Sequence, residues 1–296
     1  MGLVDAHLHV FAKQSSEFPR EDTAICPADR EEPVEKLMGL MEAHDVDHAV
    51  LVQIGGTSIE HHAYLQNCLT TYDGRFKGIG LVSPGCDSPR DHMDRLAGEG
   101  NIVGFRMSSM GGPLDPLAPI DITSFATFEI WQYAAEKDYV LWLYPPAGEA
   151  HLVPWLVEAF PQVRVVYNHL MVTPGKGKGS LDELGRPRID TPIPPMSHWS
   201  TLVALHPYEN VNVLLSGQYA FSKEDFPYRD LAGWHSGLVN RFGADRCMWA
   251  TDFPWILEAP GYEPYTRVID ELMPDLDEES RRLIMGETAR RVLKFR

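Results

Sequence analysis

The fold is decided by a stretch near the start of the chain, Leu3-Val4-Asp5-Ala6-His7-Leu8-His9-Val10, in which polar and apolar residues alternate. Alternate side chains of a β-strand share a face, so we expect Asp5, His7 and His9 to point one way and the apolar residues the other. An apolar face suits packing against helices, which would turn the polar set toward the interior. Two imidazoles on one inward face can reach a single metal ion or substrate.

Seven similar apolar runs follow, separated by segments with helical periodicity. The eight predicted strands are 3–10, 48–54, 76–82, 101–107, 139–144, 163–169, 211–216 and 247–253. The predicted helices are 34–44, 59–72, 87–98, 125–137, 150–160, 196–205, 231–242 and 277–293. Strands that alternate with helices indicate a parallel sheet, and eight such units in 296 residues predict a closed (β/α)₈ TIM barrel. No G-x-G-x-x-G follows a strand, which disfavours an open dinucleotide-binding sheet.

We expect one domain spanning residues 1–296, because neither an internal repeat nor an interdomain linker is visible. Three connections, 11–32, 108–123 and 171–195, are too long to be simple turns. Each follows a predicted strand, so each would lie at the C-terminal rim of a barrel, where active sites are built. The first two suit a lid or disorder equally. We favour a lid for the third, which contains Gly175-Lys176-Gly177-Lys178-Gly179.

The composition excludes several kinds of partner. A formal net charge of −16 repels phosphate groups, so we predict no nucleic-acid partner, although a local arginine still allows a small carboxylic substrate. The chain lacks a basic leader and any apolar stretch of about 18 residues, so we predict a cytoplasmic protein without a membrane partner. Four scattered cysteines indicate reduced thiols. A homo-oligomer is compatible with these features.

Two further polar residues end predicted strands. His169 closes the sixth run and needs a partner for each ring nitrogen, either in a site or as a satisfied core histidine. Asp252 closes the eighth run, where an isolated buried carboxylate is costly unless it is paired, ligated or functional. The alternative for Asp252 is a cap on the following helix.

Together these motifs resemble the amidohydrolase-2 family across residues 5–293. The resemblance is carried by the H-x-H of strand one, Asn168-His169-Leu170, Thr251-Asp252-Phe253-Pro254 and Gly286-Glu287-Thr288-Ala289-Arg290-Arg291-Val292-Leu293. Within the family the sequence is most similar to the branch containing 2-pyrone-4,6-dicarboxylate lactonase and sugar lactonases. Arg106 and Tyr144 match two further positions of that branch.

The resemblance implies an enzyme that opens a lactone or a related cyclic or activated carboxyl ester. His7, His9, His169 and Asp252 would hold one divalent metal ion, with zinc favoured by the imidazoles, although some lactonases of the family work without a metal. Asp252 and His169 would act in catalysis. Arg106 and Tyr144 would contact the carboxylate and carbonyl of the substrate. The alternatives are a rim salt bridge for Arg106 and plain packing for Tyr144.

The sequence also departs from its relatives. In the family's decarboxylases a further histidine is usual on strand seven, where this chain has Val213-Leu214-Leu215-Ser216-Gly217-Gln218-Tyr219. Leu214 stands where many relatives have a lysine, and the basic residues of the dicarboxylate lactonase are missing there. We therefore expect a substrate with less charge than a doubly anionic pyrone. A non-oxidative decarboxylase of a hydroxy-aromatic or related acid is the alternative, and a catalytically inactive binding protein is a third possibility. Trp199, Trp234 and Trp255 are candidates for an apolar wall or for core packing.

Overall fold

Eight parallel strands form one sheet in a computed structural model that describes residues 2–98, 101–173 and 179–295. Together with a two-stranded hairpin, the described residues contain ten strands. In chain order they are β1 (Leu3–Leu8), β2 (Val46–Val52), β3 (Phe76–Leu81), β4 (Ile102–Met107), β5 (Val140–Leu143), β6 (Val165–Tyr167), β7 (Gly179–Leu181), β8 (Pro187–Ile189), β9 (Val211–Leu215) and β10 (Cys247–Trp249). The sheet order is β1-β2-β3-β4-β5-β6-β9-β10, and β7 and β8 form a separate antiparallel hairpin.

The sheet closes where the end of β10 meets β1. The backbone N–H of His9 donates to the carbonyl of Phe253 over 2.8 Å, and that of Asp252 donates to the carbonyl of His7 over 2.9 Å. These bonds place the residues that follow β10 directly beside the two histidines. The predicted (β/α)₈ barrel is confirmed.

Helices connect the strands on the outside of the barrel. They are α1 (Val34–Ala43), α2 (Ala63–Thr71), α3 (Pro89–Ala97), α4 (Phe128–Lys137), α5 (Val153–Ala159), α6 (Leu202–Leu205), α7 (Gln218–Phe221), α8 (Ala232–Phe242), α9 (Tyr262–Tyr265), α10 (Val268–Leu272), α11 (Glu278–Arg282) and α12 (Thr288–Leu293). A π-helical turn at Leu283–Glu287 joins the last two, within the single helix predicted at 277–293. Among the described residues, no helix is long and apolar enough to cross a membrane.

Two apolar clusters separate the inside of the barrel from its outside. The smaller cluster draws side chains from all eight strands, among them Trp142 and Leu214, and residues of α12 complete it. The larger cluster joins the other strand faces to the helices. The polar residues that line the cavity at the C-terminal ends of the strands lie above the small cluster, which forms a floor under them.

The regular alternation predicted for β1 is wrong at Asp5. The register against β2 shifts between Asp5, which pairs with Ala49, and Leu8, which pairs with Leu51. As a result Val4 and Ala6 pack in the inner cluster, while Asp5 accepts hydrogen bonds from the backbone and hydroxyl groups of Thr251 on the other side. An extra residue in a strand moves the side chains of all residues before it to the opposite face of the sheet.

The first long connection, 11–32, is held in place by one buried arginine. The guanidinium group of Arg20 donates to the carbonyls of Ala12 (3.1 Å), Pro27 (2.6 Å) and Arg30 (2.6 Å). One side chain thus satisfies carbonyls at both ends of the loop. Burial of these backbone groups with partners favours an ordered rim over a disordered one.

Candidate active site

The structure brings together the side chains of His7, His9, His169 and Asp252 at the C-terminal end of the barrel. The Nε2 atoms of His7 and His9 each lie 3.5 Å from Oδ1 of Asp252. The Nδ1 atom of His169 lies 4.0 Å from Oδ2 of the same carboxylate. All four residues are buried. Their convergence follows from their positions at the C-terminal ends of β1, β6 and β10, which meet at the same rim of a closed barrel.

Unusual backbone conformations aim His169 and Asp252 into the site. Their φ angles are 40° and 57°, in the left-handed region that non-glycine residues seldom occupy. Gly217 also has a positive φ, and a Cβ atom on it would lie 3.0 Å from Nδ1 of His169. A glycine is therefore required at this position for the imidazole to keep its place.

The ring nitrogens of the three histidines have different partners. Nδ1 of His9 donates to the carbonyl of Val52 over 2.8 Å, which leaves its Nε2 as an acceptor. Nδ1 of His7 accepts a hydrogen bond from Nε1 of Trp142 over 3.0 Å. Nδ1 of His169 lies 2.9 Å from the hydroxyl of Ser216.

Burial keeps the histidines neutral. It lowers the pKa of His9 to about 3, with the positive charge of Arg106 adding to the effect. Burial also lowers the pKa values of His7 and His169 well below the usual range, and neighbouring cationic groups lower them further. At neutral pH each ring therefore offers one donor and one acceptor.

Asp252 combines a held oxygen with a free one. Oδ2 accepts a hydrogen bond from the hydroxyl of Tyr219 over 2.6 Å, whereas Oδ1 is buried without a hydrogen-bond partner. Burial raises the pKa of this carboxyl to about 6, against the opposing effects of Tyr219 and Arg106. The group is thus a carboxylate at neutral pH with a higher basicity than an ordinary aspartate.

The site forms the floor of a cavity of about 380 Å³. Arg106 and Tyr144 line it, with the guanidinium carbon of Arg106 5.4 Å from the centre of the Tyr144 ring. Among the described residues that line the cavity, Arg106 is the only arginine or lysine. The charge of Asp252 acts on the Arg106 guanidinium, but no carboxylate in the described parts of the chain accepts a hydrogen bond from it. A free guanidinium group in a largely apolar cavity is a receptor for an anion.

The walls of the cavity are mainly apolar, and two of the long connections contribute Ile25, Pro187 and Ile189 to them. The lining apolar residues are Ile25, Ile54, Leu81, Val82, Pro84, Pro187, Ile189, Ala220, Phe221 and Trp255. Of the three candidate tryptophans only Trp255 lies in this wall. Trp234 is buried and donates to the carbonyl of Leu170, and Trp199 is 67% exposed.

The third connection, 171–195, contains the β7–β8 hairpin rather than a structureless loop. Pro187 and Ile189 of the hairpin line the cavity. Arg188 fastens the hairpin to the carbonyls of Tyr219 and Ser222, and Arg186 donates to that of Ala259 over 2.7 Å. The glycine–lysine run predicted as part of a lid is 175–179, and all of it except Gly179 lies outside the described residues.

A family model described as amidohydrolase matches residues 4–295. The chain belongs to the amidohydrolase family. No curated protein sequence gave a significant match.

Several solved structures share the fold of this amidohydrolase. A probable 2-pyrone-4,6-dicarboxylic acid hydrolase from Acinetobacter baumannii, with citric acid bound, is 18% identical with a TM-score of 0.74 over all of both chains. An amidohydrolase from Burkholderia multivorans with bound zinc is 18% identical with a TM-score of 0.73, again over all of both chains. A 2,6-dihydroxybenzoate decarboxylase from Rhizobium is 14% identical with a TM-score of 0.63 over 99% of this chain and 98% of that one. This protein is accordingly an enzyme of the amidohydrolase family.

In this amidohydrolase, the positions of the clustered side chains suit a metal ion, but the hydrogen bonds that hold those side chains do not. One ligand atom each from His7, His9 and Asp252 lies within 4.8 Å of the others, and His169 is outside that group. Nε2 of His7 and Oδ1 of Asp252 are both buried without partners, as expected of free ligand atoms. Histidine ligands, however, normally donate their second N–H to an acceptor, as His9 does. His7 does the opposite, because its second nitrogen accepts from Trp142.

Two residues at the site were missed by the sequence interpretation. Tyr219 holds Asp252, and Trp142 holds His7. The sequence offered a clue to Tyr219, because this residue follows β9, the seventh strand of the barrel, at the rim where active sites are built. In the sequence Trp142 is indistinguishable from an ordinary apolar strand residue, because only the closed barrel brings its indole to His7. Leu214, by contrast, lies in the inner cluster below the site.

Proposed function

We propose that this amidohydrolase hydrolyses a lactone, or a related cyclic or activated ester, of a small carboxylic acid. The observation that carries the proposal is the unpartnered oxygen of Asp252, which lies beside two neutral histidines in a cavity that also contains a free arginine. A raised carboxylate pKa of about 6 suits a group that must take a proton and give it back near neutral pH.

The proton follows a closed path through Asp252. Oδ1 of Asp252 takes a proton from a water molecule as the water oxygen attacks the ester carbonyl. When the bond between the acyl carbon and the ring oxygen breaks, Asp252 returns the proton to that oxygen as it leaves. The products are a carboxylate and an alcohol or enol, and a proton is released to solvent when the new acid ionises.

Arg106 and Tyr144 are assigned to substrate binding. The Arg106 guanidinium would pair with a substrate carboxylate or with the oxyanion that forms during attack, and the Tyr144 hydroxyl would donate to the same group. One arginine matches one carboxylate, and the apolar walls match an uncharged body. The doubly anionic substrate named for the Acinetobacter relative is therefore less suitable than a monocarboxylate.

The sequence predicts that His7, His9, His169 and Asp252 hold a zinc ion. The bond from Trp142 to His7 disfavours that ligand set, so no step above depends on a metal. We assign His169, which also lines the cavity, to a polar contact with the substrate carbonyl beside Asp252.

The test is a panel of lactones assayed with a pH indicator, at equal concentrations of monocarboxylate, dicarboxylate and uncharged members. We expect proton release with monocarboxylate lactones and no carbon dioxide. The similarity to a decarboxylase supports a second assay, in which hydroxybenzoates are incubated with the enzyme and carbon dioxide is measured. Carbon dioxide release without lactone opening would replace the hydrolase with a lyase.

A further inference from the structure

The partner of His7 restricts the state of its ring. An indole N–H can only donate a hydrogen bond, and Nε1 of Trp142 lies 3.0 Å from Nδ1 of His7. Nδ1 must therefore carry a lone pair. A neutral imidazole has one protonated nitrogen, so the proton of His7 is on Nε2.

His9 is in the opposite state. Its Nδ1 lies 2.8 Å from the carbonyl of Val52, which can only accept, so its proton is on Nδ1 and its Nε2 carries the lone pair. The floor of the cavity thus presents one donor, Nε2–H of His7, and two acceptors, Nε2 of His9 and Oδ1 of Asp252. The donor and the two acceptors surround one point, because Nε2 of His7 and Nε2 of His9 each lie 3.5 Å from Oδ1 of Asp252.

We infer that Trp142 makes His7 a hydrogen-bond donor, and that the cluster consequently binds a water molecule rather than a divalent cation. A water oxygen accepts from His7, and its two hydrogens are donated to His9 and Asp252. This arrangement satisfies two of the buried atoms that lack partners, Nε2 of His7 and Oδ1 of Asp252. The inference goes beyond the proposed ester hydrolysis and holds whichever substrate the water attacks.

A cation at the same point would need a lone pair on Nε2 of His7. That lone pair becomes available only if His7 loses its remaining ring proton or gives up the bond to Trp142. Trp142 is fully buried in the floor of the barrel, so a broken bond would leave an indole N–H without a partner. Trp142 is therefore a positioning residue that acts on the metal preference through His7.

The first test reads the tautomers directly in the unaltered protein. Nitrogen-15 NMR of histidine-labelled protein, with His7 and His9 assigned from His7→Gln and His9→Gln variants, distinguishes protonated from unprotonated ring nitrogens. We expect the proton on Nε2 in His7 and on Nδ1 in His9 at pH 8. A proton on Nδ1 of His7 would overturn the inference, and this measurement does not depend on how any Trp142 variant folds.

The second test measures zinc affinity in Trp142→Phe by competition with a chelator. Without the indole donor His7 can move its proton to Nδ1 and ligate, so we expect zinc to bind about 10–100-fold more tightly. Trp249→Phe is the matched control, because its buried indole donates to the carbonyl of Tyr265 and makes no hydrogen bond to a histidine of the site among the described residues. Unchanged affinity in a folded Trp142→Phe protein, or wild-type zinc binding with His7 as a ligand, would contradict the inference.

Discussion

At the scale of single residues, Arg106 is a cation that donates to no carboxylate among the described residues, and we propose that the substrate supplies the counter-charge. Burial lowers the pKa of its guanidinium from the usual value, while the charge of Asp252 acts in the opposite direction. Its guanidinium carbon lies 5.4 Å from the centre of the Tyr144 ring, a cation–π contact that does not use its N–H donors. The free N–H donors can bind a carboxylate that the substrate already carries before the reaction begins, so we expect Arg106 to contribute mainly to substrate binding.

We predict that Arg106→Met raises KM for a carboxylate-bearing lactone and leaves kcat less affected. A charge-assisted hydrogen bond is worth about 2 kcal/mol, which corresponds to about a 30-fold loss in kcat/KM. Steady-state kinetics on a carboxylate lactone and on its uncharged ester separate the two effects, since the uncharged ester should lose little. Equal kinetics of wild type and variant on the carboxylate substrate would assign Arg106 a structural role.

The sequence predicts which residues meet at the site better than how they are held. His7, His9, His169 and Asp252 end strands, and a barrel brings strand ends together whatever its details. Trp142 is 135 residues from His7, so the bond between them follows only from the closed sheet. The strand pattern contains no information on such a pairing, because an indole on an inward face is equally suited to plain packing.

At the scale of elements, regular strands and helices were predictable and local irregularities were not. Most strands match the apolar runs because burial on both faces demands continuous apolar sequence. The extra residue in β1 escaped prediction, since Asp5 fits the inward alternation as well as His7 does. Its actual partner, Thr251, lies at the other end of the chain. The β7–β8 hairpin is too short for its alternation to be distinguished from a loop.

At the scale of the whole molecule, buried histidines make the fold sensitive to acid. Burial lowers the pKa values of His62 and His235 to about 4. In each ring one nitrogen donates to a backbone carbonyl, that of Ser58 or of Leu231. The histidines of the active site are likewise held neutral. Asp5 and Asp252 act in the opposite direction, because their pKa values are raised to about 7 and about 6.

We predict that the free energy of unfolding falls as the pH is lowered from about 6.5 to about 4. Unfolded histidines bind protons in this window and folded ones do not, so protonation favours the unfolded chain. His235 alone contributes on the order of 3 kcal/mol, since each pKa unit is worth about 1.4 kcal/mol. Urea titrations of wild type and His235→Gln should show stabilities that converge by this amount across the window. A constant difference between the two proteins would mean that His235 is not held neutral.

In the active site as a whole, we propose that Asp252 moves the proton during hydrolysis. The most direct measurement is turnover of Asp252→Asn on the best lactone of the panel, with metal content and thermal unfolding recorded on the same sample. Asparagine can still accept the hydrogen bond from Tyr219, so the fold should be retained. It has no basicity, so kcat should fall by about 10²–10⁴ with unchanged metal content. A folded Asp252→Asn protein with kcat near that of the wild type would contradict the account.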